Sequence, residues 1–222
     1  MIAANRDELY ARPARPPERL GGGLAGGVDA LSGGTWLAVD RRGRFAAVTN
    51  QRAVAPAPSG VRSRGLAVRE LAAAADPDAY VAAIDPTQYA SMNLVWGDPR
   101  GVSIAYSRHE GTLEIERLSS GIHVLCNDRL GSPDSPRGER LAAAIASAPR
   151  HWSALGPALE RALADHTRAA TPPSLTATCI HSPTYGTRSS TIFAARPDQA
   201  LAYLHADGPP CTAPFLDRAE LL

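Results

Sequence analysis

Four polar residues near the start, Asn5, Arg6, Asp7 and Glu8, place an amide, a guanidinium and two carboxylates at the end of a short apolar run, Ile2-Ala3-Ala4. If that run is a strand, side chains alternate, so Arg6 and Glu8 share one face and Asn5 and Asp7 the other. One pair can then face a cleft, where a guanidinium grips an anion; a solvated strand end is the plain alternative. Asn50 and Asn127 each end an apolar run. Each amide can donate to a developing oxyanion or a bound carboxylate, or can start a turn by bonding its own backbone. Asn127 is the stronger candidate, because the loop of residues 131–136 that follows it would sit over a site. Arg188 lies after Gly186 with the hydroxyls of Tyr185, Thr187 and Ser190 nearby. It can hold a carboxylate or phosphate, or cap a loop by pairing with an acid such as Asp7. Trp36, following Gly33-Gly34-Thr35, supplies a large apolar body for a site or for the core. Cys179 and His181, two apart on an expected strand, share a face and can ligate iron or zinc. Two ligands are too few for a zinc site and ordinary strand packing accounts for the pair, so no metal ligand is assigned.

The elements that must position these groups follow from local chemistry. Residues 12–34 are dense in Pro and Gly, and Pro13, Pro16 and Pro17 argue for a surface loop. Residues 35–40 and 44–50 form a hairpin across Arg41-Arg42-Gly43. Residues 63–75 read as a helix capped by Ser63, and Asp76-Pro77 stops it and opens a second short helix through residues 80–84. Strands are expected at residues 92–96, 102–107, 112–118 and 122–126 as an antiparallel meander, followed by helices at 137–148 and 152–165. Residues 175–180, 189–195 and 200–204 read as closing strands. Strands, helices, strands, helices, strands is the order of an α+β fold, in one domain spanning residues 1–222.

Composition narrows the chemistry. The chain has 222 residues with 23 basic and 22 acidic side chains, and every basic one is Arg. That balance gives no field to attract nucleic acid, and the lack of Lys removes Schiff-base chemistry. No apolar run approaches the roughly 20 residues of a membrane-spanning helix. Three widely spaced cysteines, Cys126, Cys179 and Cys211, argue against a disulfide framework and for a reducing cytoplasm, and the first residues do not resemble a secretory signal.

Six blocks occur in order: Ala3-Ala4-Asn5-Arg6-Asp7-Glu8 with Tyr10, Arg12 and Pro13; Gly33-Gly34-Thr35-Trp36-Leu37; Ala47-Val48-Thr49-Asn50; Arg64-Gly65; Cys126-Asn127; and Tyr185-Gly186-Thr187-Arg188-Ser189-Ser190-Thr191. Together they resemble the NRDE family, that of transport and Golgi organisation protein 2 and its bacterial relatives. The resemblance implies a four-layer αββα sandwich similar to N-terminal-nucleophile hydrolases, with the first block on a strand at the heart of the sandwich. In such hydrolases an N-terminal Cys attacks an amide or ester and its own amine is the base. By position Arg6 and Asp7 would hold that amine, Asn50 or Asn127 would donate to the oxyanion, and Arg188 would grip an anion. This chain opens at Met1-Ile2, inside the first strand, so an upstream Cys is missing from this start or the nucleophile is absent. Interior Cys126, Cys179 and Cys211 lack the adjacent amine and do not replace it. The family's eukaryotic members further imply cytosolic trafficking of an apolar anionic ligand, haem or acyl-CoA/lipid, which needs no nucleophile. The expected ligand contacts are Asn5, Arg6, Asp7, Glu8, Trp36, Asn50, Asn127 and Arg188. Haem is then a possible bound ligand rather than a fixed cofactor, since no CxxCH attachment motif is present.

Overall fold

The computed structural model describes residues 1–53, 57–132, 136–167 and 177–222. The chain opens with strands β1 (Ile2–Leu9), β2 (Ala14–Gly21), β3 (Leu24–Asp29), β4 (Leu37–Asp40) and β5 (Phe45–Asn50), then helices α1 (Arg64–Ala73) and α2 (Pro77–Ala82). Strands β6 (Met92–Asp98), β7 (Gly101–Arg108) and β8 (Thr112–Arg117) follow, then helices α3 (Pro136–Ala146) and α4 (Trp152–Leu163). Strands β9 (Tyr185–Arg196), β10 (Gln199–Ala206) and β11 (Leu216–Asp217) close the fold. Strands β2 to β8 form one antiparallel meander in chain order, while β1 leaves its sequence neighbours to pair with β9 in a second sheet, β1-β9-β10-β11.

Local chemistry explains the elements read correctly from the sequence. The β4–β5 hairpin is closed by Asp40, whose Oδ1 accepts from the backbone N–H of Arg42 and Arg44 at 2.9 Å each, while Gly43 takes the left-handed φ of 90°. Ser63 caps α1 by accepting from the Gly65 N–H at 3.2 Å. Asp76 caps α2 by accepting from Ala79 at 3.0 Å, with Pro77 in the first turn, where its missing N–H removes no intrahelical bond.

Alternation within the larger sheet then builds two cores. Ala38, Ala46, Met92, Leu94 and Trp96 point to one face and bury Val68, Leu71 and Val81 of the first two helices. Ala25, Leu37 and Val39 point to the other and meet Phe193 and Tyr203 of the smaller sheet. Helix α4 packs on β1 and β9, and α3 packs on α4. The architecture is therefore α+β: two antiparallel sheets packed face to face, with helices against each. No helix among the described residues is long and apolar enough to cross a membrane.

Three sequence expectations are corrected. Residues 12–34 are not a loop but carry β2 and β3; Pro16 and Pro17 are accommodated because β2 is an edge strand whose register shifts between Arg15 and Glu18. Residues 122–126 form no strand. They run across the end of the larger sheet instead, where Thr49 Oγ1 donates to the Cys126 carbonyl at 3.0 Å. The strand expected at residues 175–180 lies partly outside the described residues, and its described part, 177–180, forms bends rather than a strand. Residues 133–135 of the loop expected over a site also lie outside them.

Candidate functional site

Strand β1 lines a cleft of about 1260 Å³ that reaches the larger sheet, the start of α1, and α3 and α4. Seven of the eight residues singled out from sequence line it: Asn5, Arg6, Asp7, Glu8, Trp36, Asn50 and Asn127. Arg188 is not among the lining residues.

Arg6 is the centre of this arrangement. It is only 9 % exposed, its guanidinium lies 4.5 Å over the Trp36 ring, and its Nη1 is buried with no hydrogen-bond partner among the described residues. Trp36 can take that position because its ring covers Gly27, where a Cβ would stand 2.2 Å from Trp36 Cζ2. Burial pulls the Arg6 pKa down from its usual value, offset by Glu8 and Asp29. A guanidinium keeps its charge against such a pull, so a buried cation remains with its donor unspent. Across the strand pair, Ser189 is the register partner of Arg6, and its buried Oγ also has no partner among the described residues.

The nearby acids are largely occupied. Arg12 bonds Asp29 at 2.6 Å and lies 3.7 Å from Glu8. Arg64, in the first turn of α1, also lines the cleft; burial lowers its pKa and Glu8 opposes that. Three guanidiniums, Arg6, Arg12 and Arg64, here stand against two carboxylates, Glu8 and Asp29. The N-terminus of α1 adds its partial positive charge at Ser63, Arg64 and Gly65, which line the same cleft. Helix and sheet approach closely because Gly34 meets Gly65 backbone to backbone; a Cβ on Gly34 would stand 2.4 Å from the Gly65 carbonyl carbon. The block Arg64-Gly65 was legible as a motif, but the site roles of Arg64, Arg12 and Asp29 were missed. No local pattern marks the approach of Arg12 and Arg64 to Glu8, or of Asp29 to Arg12.

Asn50 and Asn127 also line the cleft, and both are exposed. The segment carrying Asn127 is strapped down through three consecutive carbonyls: Thr49 Oγ1 donates to Cys126, Arg52 N–H to Asn127 at 2.7 Å, and buried Asn93 Nδ2 to Asp128 at 3.1 Å. Thr49 and Asn93 are thus positioning residues that the sequence reading did not single out.

Asn5 and Asp7 do structural duty on the side facing α4. Asn5 Nδ2 donates to the carbonyls of Leu163 and Thr178 at 2.9 Å each, and its Oδ1 accepts from Ser190. Asp7 Oδ1 accepts from buried Thr187 at 2.6 Å. Arg188 is the extra residue of a β-bulge, because Arg6 pairs with Ser189 and Asp7 with Thr187. Its Nη1 donates to the carbonyls of Leu9, Tyr10 and Arg12 at 2.8–3.2 Å. Of the two readings open for Arg188, the geometry fits loop capping, through carbonyls rather than through Asp7.

Elsewhere, Cys179 and His181 are joined by His166 and Cys211, with one ligand atom of each within 4.8 Å of the others. The argument that two ligands are too few for a metal therefore no longer applies.

Residues 1–206 match the family described as Transport and Golgi organisation 2. The chain is 30% identical over 227 residues to the Transport and Golgi organization protein 2 homolog of Bos taurus, covering 86% of this chain and 80% of that protein. It is 30% identical to the Mus musculus homolog and 31% identical to the Homo sapiens homolog, each match covering 60% of this chain and 52% of the relative.

Proposed function

The chain belongs to the Transport and Golgi organisation 2 family, and from that premise we propose that it binds and carries an apolar ligand with one anionic end, such as haem or a fatty acyl-CoA, in the cleft along β1. The observation that carries this reading is Arg6: a buried guanidinium stacked on Trp36, with a donor that nothing described in the protein satisfies. Buried polar groups are nearly always paired, and an orphaned cationic donor in a cleft is satisfied when an anion arrives. The cleft volume lies just above the roughly 300–1,000 Å³ of ordinary small-molecule sites, which suits a large ligand. Phe45, Ile104, Leu141 and Leu159 offer apolar wall for its body. Arg64 and the α1 terminus add positive potential, while Asn5 and Arg188 hold β1 and its loop in place. The same reading takes the framework as an αββα sandwich of the N-terminal-nucleophile hydrolase type. It places the protein in the cytosol, in keeping with its free cysteines.

Titration of the purified chain with haem, followed by absorbance, and with palmitoyl-CoA, followed by calorimetry, tests the proposal. Binding of one of them tighter than about 100 μM, weakened about ten- to 150-fold by Arg6→Ala, is the expected result, from roughly 1.5–3 kcal/mol per charge-assisted bond. Failure of both ligands to bind below that concentration overturns the carrier reading for them. Binding that survives Arg6→Ala unchanged overturns the role of Arg6.

The alternative is amide or ester hydrolysis by a Cys nucleophile encoded upstream of Met1. It is favoured by one observation: Met1 lines the same cleft as Arg6, Asn50 and Asn127. In-frame translation of the upstream DNA decides it, since the alternative requires a Met-Cys or Val-Cys a short distance before Ile2.

A further inference from the structure

We propose that His166, Cys179, His181 and Cys211 form a tetrahedral Cys₂His₂ site for a divalent transition-metal cation, zinc by preference. The four side chains come from three separate segments: His166 follows α4, Cys179 and His181 lead into β9, and Cys211 sits on the turn after β10. The Cys179 and Cys211 sulfurs are 3.7 Å apart, and His181 Nε2 lies 3.6 Å from one and 3.3 Å from the other. With Zn–S of about 2.3 Å and Zn–N of about 2.0–2.1 Å, a regular tetrahedron has S–S edges of about 3.8 Å and S–N edges of about 3.6 Å. Three edges of the cluster therefore already have zinc dimensions to within about 0.3 Å. The fourth ligand, His166, stands with its ring 5.1 Å from that of His181 at 67°, and its ligand atom is within 4.8 Å of the rest. A modest inward movement of this exposed side chain completes the shell.

The ligands are held by backbone bonds that do not depend on a metal. The N–H groups of Thr178 and Cys179 donate to the Asp165 carbonyl at 3.1 and 2.9 Å, which fixes Cys179 beside His166. His181 bridges to Gly186, and the Thr187 N–H donates to the Ile180 carbonyl at 2.9 Å. The turn bearing Cys211 is closed by the N–H groups of Thr212 and Ala213 donating to Pro209.

Other readings fit less well. A disulfide needs sulfurs about 2.05 Å apart and leaves both histidines without a part. A reactive thiol needs an accessible, electropositive setting, whereas Cys179 is only 1 % exposed. A dication would take both sulfurs as thiolates, and their two protons would pass to solvent. Four nitrogen and sulfur ligands with no carboxylate favour zinc over calcium or magnesium.

The site also bears on the cleft. Asn5 of β1 bonds the carbonyls of Leu163 and Thr178, three residues before His166 and one before Cys179, and both residues line the cleft. A metal here locks the segment against which β1 rests.

The test uses the full chain, stripped with a chelator under reducing conditions and reloaded with Zn²⁺ or Co²⁺. About one zinc per chain by elemental analysis is expected, with a higher melting temperature than the stripped protein. Cobalt should give the intense visible bands of tetrahedral coordination and a near-ultraviolet thiolate-to-metal band. Cys211→Ser should weaken cobalt binding about 100-fold or more, since even outer-shell partners carry about 10–100-fold. His151→Ala, outside the cluster, should leave it unchanged. Substoichiometric zinc, a weak octahedral-type cobalt spectrum, or a thiolate band undiminished in Cys211→Ser overturns the proposal. If Cys211→Ser fails to fold by circular dichroism, the stoichiometry and cobalt spectrum of the unmodified chain decide alone.

Discussion

Replacing Arg6 with Met separates a residue kept for a ligand from one kept for the fold. Met retains the unbranched apolar stem that packs along Trp36 and removes the guanidinium. Removal relieves the buried unpartnered donor, worth about 1–3 kcal/mol in favour of the variant. It also forfeits the contact with the Trp36 ring, worth about 0.5–2 kcal/mol against it. The balance runs from about 1 kcal/mol less stable to about 2.5 kcal/mol more stable. At roughly 2–4 °C per kcal/mol for a chain of this size, the melting temperature should fall by no more than about 4 °C and can rise by up to about 10 °C. Ligand affinity should nevertheless fall about ten- to 150-fold. Urea unfolding of both proteins without ligand, beside titrations with haem and palmitoyl-CoA, reads the two quantities separately. A residue holding a buried ion pair behaves differently, because breaking such a pair costs about 3–5 kcal/mol. Destabilisation of about 3 kcal/mol or more in Arg6→Met, with affinity intact, would refute the reasoning and make Arg6 a structural residue.

Two further outcomes follow from a half-buried amide and a buried imidazole. Asn5→Ala strips partners from the Leu163 and Thr178 carbonyls and from Ser190, and should destabilise the chain by about 2–4 kcal/mol in urea unfolding; a loss below about 1 kcal/mol would deny that this amide ties β1 to α4. His205 is 1 % exposed, and burial lowers its pKa from 6.5 to about 4, so the unfolded chain binds the proton more tightly than the folded one. Stability from this group is complete above pH 6.5 and is lost as pH falls from 6.5 through about 4, by up to ~3 kcal/mol. His205→Gln should flatten that part of the profile relative to the unsubstituted chain, and parallel profiles would show that the histidine is not the cause.

Much of the fold was legible because its signals are short-range. Ser63, Asp76-Pro77 and Asp40-Gly43 act on backbone groups within four residues, so caps and hairpin could be read directly. The polar block of β1 likewise announced a two-faced strand, and the two faces it has are those that alternation requires: Arg6 toward Trp36 and Asn5 toward Leu163.

What the sequence by itself determined, then, was for most of the chain the kind of element and the caps and turns that delimit it. Which elements distant in sequence meet was decided only by the tertiary structure. Pro16 and Pro17 look like loop residues until β2 takes an edge position, where lost donors matter least. Residues 122–126 look like a strand until their neighbouring carbonyls are taken by Thr49, Arg52 and Asn93. Arg188 looks like a ligand grip until a bulge turns it onto the carbonyls of Leu9, Tyr10 and Arg12. Cys179 and His181 look like an ordinary strand pair until His166 and Cys211 arrive from outside their segment. In the last three cases the deciding partner lies far along the chain. A hydrogen bond or a metal ligand is chosen by proximity in space, which local pattern does not encode.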